Sequence, residues 1–210
     1  MIQIPSKFGV IYPSTLALAL LAPMIKVAIV FHSPQGTTAQ LAEAVAEGVS
    51  STGLAAPTLI PLLGSDILEG RYRNEASLAA VDAAQAVIFG APTFMGGPSA
   101  QFKAFADASS DRWDGQLWRN KLAAGFTIGS NLNGDQGNTL QYFAILAAQH
   151  GMLWAGVDLA SGYDALGRNR LGVQLGASAQ TESQHLQTAD RSTAHYLGQR
   201  VANLANQMAR

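Results

Sequence analysis

The sequence predicts a single α/β domain built on a doubly wound parallel sheet of five strands in the order 2-1-3-4-5, with helices on both faces. Short apolar runs alternate along the chain with longer segments of helical periodicity, which is typical of a parallel sheet. The runs are apolar throughout, as expected for strands that are covered on both faces. The 210 residues, of which 48% are hydrophobic, suffice for one large core and do not favour two domains.

The predicted strands are runs of Val, Ile, Leu, Phe and Ala that are bounded by Gly, Pro or polar residues. The second strand contains Pro57 and Pro61, which cannot donate to a central ladder, so we expect it near an edge of the sheet. The five predicted strands cover residues 27–31, 56–62, 86–90, 122–127 and 152–157.

Apolar positions at helical spacing predict the helices that connect these strands. Residues 64–80 are mixed and charged, which favours a surface excursion that ends in a short helix. Residues 161–187 are polar, contain glycine and are too numerous for a simple turn, so we expect a functional or interfacial role for them. The principal predicted helices cover residues 39–48, 99–106, 138–150 and 188–208.

A hydroxyl-rich loop joins the first predicted strand to the first predicted helix. Its hydroxyls, the backbone N–H groups and the positive end of the helix dipole can hold a phosphate without a cationic side chain. The loop lacks both the Gly-rich Lys-Ser/Thr spacing of a nucleoside triphosphate site and the Gly-x-Gly-x-x-Gly of a dinucleotide site. We therefore expect a phosphomonoester, with FMN as the leading candidate; an ordinary N-capped helix is the alternative. The loop consists of Ser33, Pro34, Gln35, Gly36, Thr37 and Thr38.

Two further loops follow the third and fourth predicted strands, and ligands of doubly wound sheets bind beyond the carboxyl ends of the strands. The first loop combines a rigid proline, a hydroxyl and two soft apolar side chains, which suits the wall of a flavin ring. The alternative is a turn-rich connection with Phe94 packed into the core. The two loops cover residues 91–98 and 129–134, and their candidate cofactor-binding residues are Pro92, Thr93, Phe94, Met95 and Gly96, and Ser130, Asn131, Leu132, Asn133 and Gly134.

Several short motifs together resemble the WrbA-type NAD(P)H:quinone oxidoreductases, which are flavodoxin-like proteins historically named tryptophan-repressor-binding proteins. The resemblance covers residues 24–210. In two places the chain departs from it, because the family often has an aromatic residue where Gln35 stands, and its loop after the fourth strand is usually richer in Gly and Thr than residues 131–135. The motifs are Ser33-x-x-Gly36-x-Thr38, Gly90-x-Pro92-Thr93-x-x-Gly96, the Gly/Asn loop after the fourth strand, and Ala148-Gln149-His150-Gly151-Met152.

The resemblance implies that residues 33–38 hold the FMN phosphate, that residues 92–96 hold the ring, and that residues 130–134 follow its pyrimidine edge. It also implies that His150 and Trp113 line the substrate side. His150 precedes a glycine, so the alternative is that it caps a helix, while a pocket role would allow proton donation to a reduced quinone. Trp113 could cover the flavin of its own or a neighbouring subunit, or it could anchor an interface.

The composition argues against nucleic acid and membranes as partners of the chain and favours other copies of the chain. A net charge of −1 with 13% charged residues provides no basic surface for nucleic acid and no polybasic membrane segment. So few charges on an apolar chain favour a homo-oligomer, and we expect a tetramer. The absence of cysteine excludes disulfides and Cys-ligated metals. We expect no membrane insertion and no bound metal.

Residues 1–23 form a separate unit in this interpretation. Lys7 and the apolar run that follows have the outline of a signal peptide. The stretch Met24-Ile25-Lys26, however, resembles a native start that opens into the first strand. We therefore favour an upstream extension that docks on a neighbouring subunit, in a cytoplasmic protein.

The predicted function is FMN-dependent reduction of quinones by NAD(P)H, with two electrons passed in alternating half-reactions. A flavodoxin-type one-electron carrier is the alternative, although a net charge of −1 offers little electrostatic steering toward partners. A regulatory partner of a DNA-bound repressor is the third possibility, for which the sequence has no groove-reading helix.

Overall fold

The structure, a computed structural model, describes residues 24–210. The extension expected for residues 1–23 lies outside the described residues. Within the described chain, β1 (Ile25–Phe31) pairs in parallel with β2 (Ala55–Pro61) and β5 (Ala86–Phe94), and β5 pairs in parallel with β7 (Leu122–Gly129). The proline-containing β2 lies at an edge, as predicted. The order of the five parallel positions, 2-1-3-4-5, is confirmed.

Smaller strands complete the sheet and add one separate hairpin. β3 (Ile67–Leu68) and β4 (Arg71–Tyr72) pair only with each other. β6 (Gly97–Pro98) folds back on β5, and β8 (Leu153–Trp154) pairs with the start of β7. The sheet ends with β9 (Ala177–Glu182) and its antiparallel neighbour β10 (His185–Leu186).

Helices cover both faces because alternate residues of each central strand point to opposite sides. Val27 and Ile29 of β1 pack on one face, against α1 and α6, and Ala28 and Val30 pack on the other, against α2, α3 and α5. The helices are α1 (Thr37–Ser51), α2 (Glu75–Asp82), α3 (Ala100–Ala108), α4 (Ser110–Trp113), α5 (Gln136–Gln149) and α6 (Thr188–Met208), and a 3₁₀ turn covers Gly64–Asp66.

The fifth strand corrects the sequence interpretation. The predicted strand at 152–157 contributes only the two-residue β8, although Met152, Ala155 and Val157 are buried, which explains its strand-like pattern. The carboxyl half of β7 pairs instead with β9. The fifth position of the sheet is thus shared by β8 and β9. The chain between these two strands returns close to its own start, because a Cβ on Gly156 would collide with the carbonyl oxygen of Gln174.

The intervening residues are anchored to α6 by a buried ion pair. Arg170 donates through Nε and Nη2 to the two carboxylate oxygens of Asp190, each at 2.8 Å. The same carboxylate accepts the backbone N–H of Gln180 at 2.9 Å, and it lies in the first turn of α6, where a negative charge is favourable. The polar stretch 161–187 was expected to be functional or interfacial. It contains Arg170, whose ion pair fixes the stretch to α6, and the strands β9 and β10.

No helix within residues 24–210 is long and apolar enough to cross a bilayer.

The contact between α1 and α6 requires glycine on both helices. A Cβ on Gly48 would collide with the backbone carbonyl of His195, and a Cβ on Gly198 would collide with that of Val45. The two helix backbones therefore approach more closely than any larger residue allows.

Replacing Gly198 with alanine tests this packing. The helices must separate to accommodate the methyl group, so we expect the free energy of unfolding to fall by about 2 kcal/mol. Gly137→Ala in α5 is the matched control, because nothing lies within 4 Å of its Cβ position and the substitution favours the helix. Urea unfolding followed by circular dichroism measures both variants, and an unchanged midpoint for Gly198→Ala would contradict the packing argument.

Candidate active site

Two adjoining cavities lie at the carboxyl edge of the sheet. The helix cavity, of about 310 Å³, opens at the N-terminus of α1. The hairpin cavity, of about 440 Å³, lies between the β5–β6 turn and the loop after β7, and both cavities are bordered by Thr93, Gly129 and Ser130. The helix cavity is also lined by Pro34, Gln35, Thr37, Thr38, Pro92, Phe94, Ile128 and Thr181, and the hairpin cavity by Met95, Gly96, Asn131, Asn133, Gly134, Asp135 and Gln136.

The N-terminus of α1 presents unused hydrogen-bond donors to the helix cavity. Gly36 enters the helix with a left-handed φ of 87° and has no side chain with which to cap it. Ser33 Oγ accepts the N–H of Ala39 at 3.0 Å, so it caps one N–H group of the first turn and keeps its own proton free. Thr38 is 1% exposed, and its Oγ1 has no partner within residues 24–210. A buried hydroxyl at a helix N-terminus that is only partly capped is suited to an anion such as a phosphate.

The apolar loop after the third parallel strand is a tight hairpin. Thr93 pairs with Pro98 and Phe94 with Gly97, so Met95 and Gly96 form a two-residue turn. Their φ values of 48° and 81° are those of a type I′ turn. Phe94 is 48% exposed and Met95 is fully exposed, so the alternative in which Phe94 packs into the core is wrong. The hairpin instead holds two large apolar side chains at the rim of the site.

A chain of threonine hydroxyls fixes this hairpin to β7 and α5. Thr127 donates its proton to the carbonyl oxygen of Ala91 at 2.8 Å. Thr93 lies 2.9 Å from Thr127 and 2.8 Å from Thr139, so Thr93 must donate to Thr127 and accept from Thr139. The hydroxyl proton of Thr93 is therefore used within the protein, and Thr93 positions the hairpin through its side chain.

Buried amides hold the loop after β7. Gln136 is 2% exposed, and its Nε2 donates to the carbonyl oxygens of Asn131 at 3.0 Å and Ala179 at 3.2 Å. Asn133 Nδ2 donates to Leu171 O at 3.1 Å. The amide oxygens of Gln136 and Asn133 are buried and have no partner in the part of the chain that the structure describes. Both residues line the hairpin cavity, whose wall therefore includes two unused acceptors.

The structure brings all three predicted loops together, and it adds lining residues that the sequence did not reveal. Leu132 is the exception within the third loop, because it is exposed and borders neither cavity. Thr181 was missed because the fifth strand was misplaced; the alternation of Ala177 and Ala179 with polar residues is the signal for β9. Ile128, Asp135 and Gln136 were also missed, whereas Gly129 was predicted as part of the third loop though not as a cofactor-binding residue.

His150 lies far from both cavities of its own chain. It ends α5, whose 14 residues span about 20 Å from the carboxyl edge to the amino edge of the sheet. The ring is 2% exposed and lies 4.3 Å from the ring of Trp118, centroid to centroid. Ser109 donates to Ala106 O, so Nε2 of His150 carries the proton and donates to Ser109 at 2.8 Å. Within the described chain His150 lines neither cavity and is the C-cap residue of α5, which agrees with the capping alternative; a role on the substrate side of a site shared with another subunit stays a prediction.

Trp113 is also absent from the two cavities of its own chain. It closes the short helix α4 near the amino edge, where its side chain is half-exposed. The neighbouring Arg112 is ion-paired with Glu75 and Asp82, which fixes this segment against α2. A contribution of Trp113 to the site of another subunit remains a prediction.

The sheet order and the cavities at its carboxyl edge place the chain among the flavodoxin-like proteins. Comparison with known proteins identifies the family: residues 25–165 match the model of the NADPH-dependent FMN reductase family, and the chain belongs to it. As a member of this family, the chain is a flavin-dependent oxidoreductase with FMN as its cofactor and NAD(P)H as its electron donor.

Individual relatives agree with this assignment. The chain is 36% identical to Flavodoxin FldP of Pseudomonas aeruginosa, over 88% of this chain and 99% of that protein. It is 32% identical to an NAD(P)H dehydrogenase (quinone) of Syntrophobacter fumaroxidans, over 89% of this chain and 100% of that one. A solved flavodoxin, described as a WrbA-like protein from Agrobacterium tumefaciens, is 43% identical with a TM-score of 0.69, over 87% and 98% of the two chains. The predicted resemblance is confirmed.

The environment of His150 has a consequence for stability. Burial lowers the pKa of His150 from 6.5 to about 4. Between these values the unfolded chain binds a proton that the folded chain does not, so stability is lost as the pH falls through this window.

We expect the wild type to lose about 2 kcal/mol more than His150→Gln between pH 7 and pH 5. Urea unfolding at both pH values measures the difference. The buried His32 is present in both proteins, so its contribution cancels. Equal losses in the two proteins would show that His150 titrates normally.

Proposed function

We propose that the chain catalyses two-electron reduction of quinones by NAD(P)H, with FMN seated in the two cavities and the substrates reacting in turn. The observation that carries the proposal is the pairing of a hydroxyl-lined, only partly capped helix N-terminus with an exposed apolar hairpin at one edge of the sheet. The first feature suits a phosphate and the second suits a flat ring.

The residues of the helix cavity fit the phosphate end of FMN. The N–H groups at the start of α1 and the hydroxyls of Ser33, Thr37 and Thr38 would hold the phosphate oxygens. Thr38 Oγ1 and Thr181 Oγ1 are buried without partners among the described residues, as expected for groups that bind a ligand. The cavity is lined by no charged side chain, so the phosphate would be held by dipoles alone.

The residues of the hairpin cavity fit the ring end. The Met95–Gly96 turn would border the ring on one side, and the loop 130–134 would follow its pyrimidine edge on the other. The unused acceptor oxygens of Asn133 and Gln136 match the N–H and hydroxyl donors of a flavin. FMN when bound accepts two electrons from a reduced nicotinamide and passes them to a second substrate.

The rim of the site supports a flat, apolar acceptor. Phe94 and Met95 are exposed large apolar residues that line the cavities, and Leu132 is a third exposed one in the loop after β7. Together they offer a surface on which a quinone or a nicotinamide ring can lie in turn. A quinone takes up a hydride and one further proton. No histidine lines either cavity within residues 24–210, so this single proton comes from solvent in the proposed mechanism.

The proposal includes a homotetramer. Trp113, Leu117, Ile145 and Leu153 are large apolar side chains that lie exposed on a single chain with few charges. Contact with other subunits would cover them, and it is the route by which Trp113 could reach a flavin.

A one-electron carrier is the second candidate, and the 36% identity to Flavodoxin FldP favours it. The relatives named NAD(P)H dehydrogenase (quinone) and the weak charge of this chain favour the enzyme. The two candidates differ in whether NAD(P)H reduces the flavin directly.

Kinetics separate the enzyme from the carrier. Because both substrates would use one site in turn, we expect parallel reciprocal plots of rate against NADH concentration at several quinone concentrations. We also expect NADH or NADPH to bleach the flavin absorbance anaerobically within one turnover. Failure of both nucleotides to bleach a flavin that dithionite does bleach would favour the carrier.

The phosphate assignment has a direct test in Thr38→Val, which keeps the side-chain volume and removes the hydroxyl. We expect its affinity for FMN to fall about tenfold, since one hydrogen bond to a charged group is lost, while riboflavin binding stays unchanged. Thr52→Val, at the opposite end of α1, is the matched control, because the bonds of Thr52 Oγ1 are local: it donates to Val49 O and accepts the N–H of Leu54. Quenching of flavin fluorescence measures each affinity. Equal losses for FMN and riboflavin would place the phosphate elsewhere.

A further inference from the structure

Asp135 is the only ionisable residue among the described residues that line the two cavities. It is the N-cap residue of α5, but its side chain makes no capping hydrogen bond. The carboxylate lies instead against the hairpin turn, where a Cβ built on Gly96 would be 3.7 Å from Asp135 Oδ2. A full negative charge is therefore held at the wall of the hairpin cavity.

This charge reverses the field that α5 would otherwise provide. The N-terminus of a helix carries the equivalent of about +0.5 charge, which favours anions. The carboxylate of Asp135 places −1 at the same point, so the combined charge is about −0.5. The loop at this position is also one of the places where the chain departs from the Gly- and Thr-rich pattern of the family it resembles.

The hairpin that carries Gly96 is held at a constant distance from this carboxylate. Asn138, one turn along α5 from Asp135, donates through Nδ2 to the carbonyl oxygen of Gly96. Thr139 is bonded to Thr93 at the base of the same hairpin. Because α5 supplies both ties and the carboxylate, movement of the hairpin away from Asp135 would break two hydrogen bonds.

We infer that Asp135 lowers the midpoint potential of bound FMN, because its carboxylate disfavours the singly negative reduced ring relative to the neutral oxidised ring. The inference rests on the proposed function. Transfer of a hydride from NAD(P)H delivers two electrons and one proton, so the ring gains one negative charge until a second proton arrives from solvent. A carboxylate beside the ring raises the free energy of that charge and leaves the uncharged oxidised ring unaffected.

The relation between affinity and potential makes the inference measurable. The midpoint potential of bound FMN shifts with the ratio of the affinities for the reduced and oxidised forms. A tenfold change in this ratio corresponds to about 30 mV for a two-electron couple. Asp135 is exposed, so its effect must also weaken as salt screens the charge.

The experiment compares the FMN-loaded wild type with Asp135→Asn and Asp135→Glu by spectroelectrochemistry, with the affinity for oxidised FMN measured by fluorescence quenching. We expect Asp135→Asn to bind oxidised FMN as the wild type does and reduced FMN about tenfold more tightly, which raises the potential by about 30 mV. Asp135→Glu keeps the charge and should keep the wild-type potential. The difference should shrink in 1 M salt, where the Debye length is about 3 Å.

Glu69→Gln is the matched control, because it removes an exposed carboxylate that lines neither cavity and changes the net charge equally. It should leave the potential unchanged. Equal potentials for the wild type and Asp135→Asn, with FMN bound to both, would overturn this inference alone, as would a shift of the same size in Glu69→Gln or in Asp135→Glu. A wild-type chain that binds no FMN would overturn the proposed function as well.

Discussion

The site depends on the parallel pairing of β5 between β1 and β7. This register sets Phe31 opposite Gly90 and Pro92 opposite Ile128, so the three strands end at one edge of the sheet. The loops that follow must then converge, whatever their own sequences. The bond from Thr127 to Ala91 O, and the hydroxyl chain built on it, continues the contact between β5 and β7 beyond the buried core and into the hairpin.

Of the helices within residues 24–210, α1 and α5 begin beside the two cavities, and the chain uses their dipoles in opposite ways. At the start of α1 Ser33 caps only the N–H of Ala39, and the hydroxyl of Thr38 has no partner among the described residues, so this end of the site suits an anion. The start of α5 carries Asp135, which opposes the dipole. The N-terminus of α1 thus attracts negative charge at one end of the site, and the N-terminus of α5, with Asp135, repels it at the other. A ligand with an anionic terminus and an uncharged ring matches this division.

The sequence predicted the sheet order and the three loops, because unbroken apolar runs and Gly/Pro-rich connections are local signals. It failed at the fifth strand, where the buried run at 152–157 looked more strand-like than the polar segment containing Thr181. That segment is a strand because Gly176 lets the chain pack against the backbone of Gly125, a long-range contact that no local pattern encodes. The loss of Thr181 from the predicted site followed directly from this error.

His150 shows how far a recognised motif can lie from the cavities of its own chain. The His-Gly-Met segment carries the family resemblance, but the 14 residues of α5 separate it from the carboxyl edge. The ring of His150 donates to Ser109 and lies against Trp118, so the segment is part of a packed unit at the amino edge. A residue at that edge can reach a carboxyl-edge site only in another copy of the chain. In a single chain Trp113 is exposed there and His150 is buried, so contact with a second subunit is simpler for Trp113, and the role of each residue in such a shared site stays a prediction.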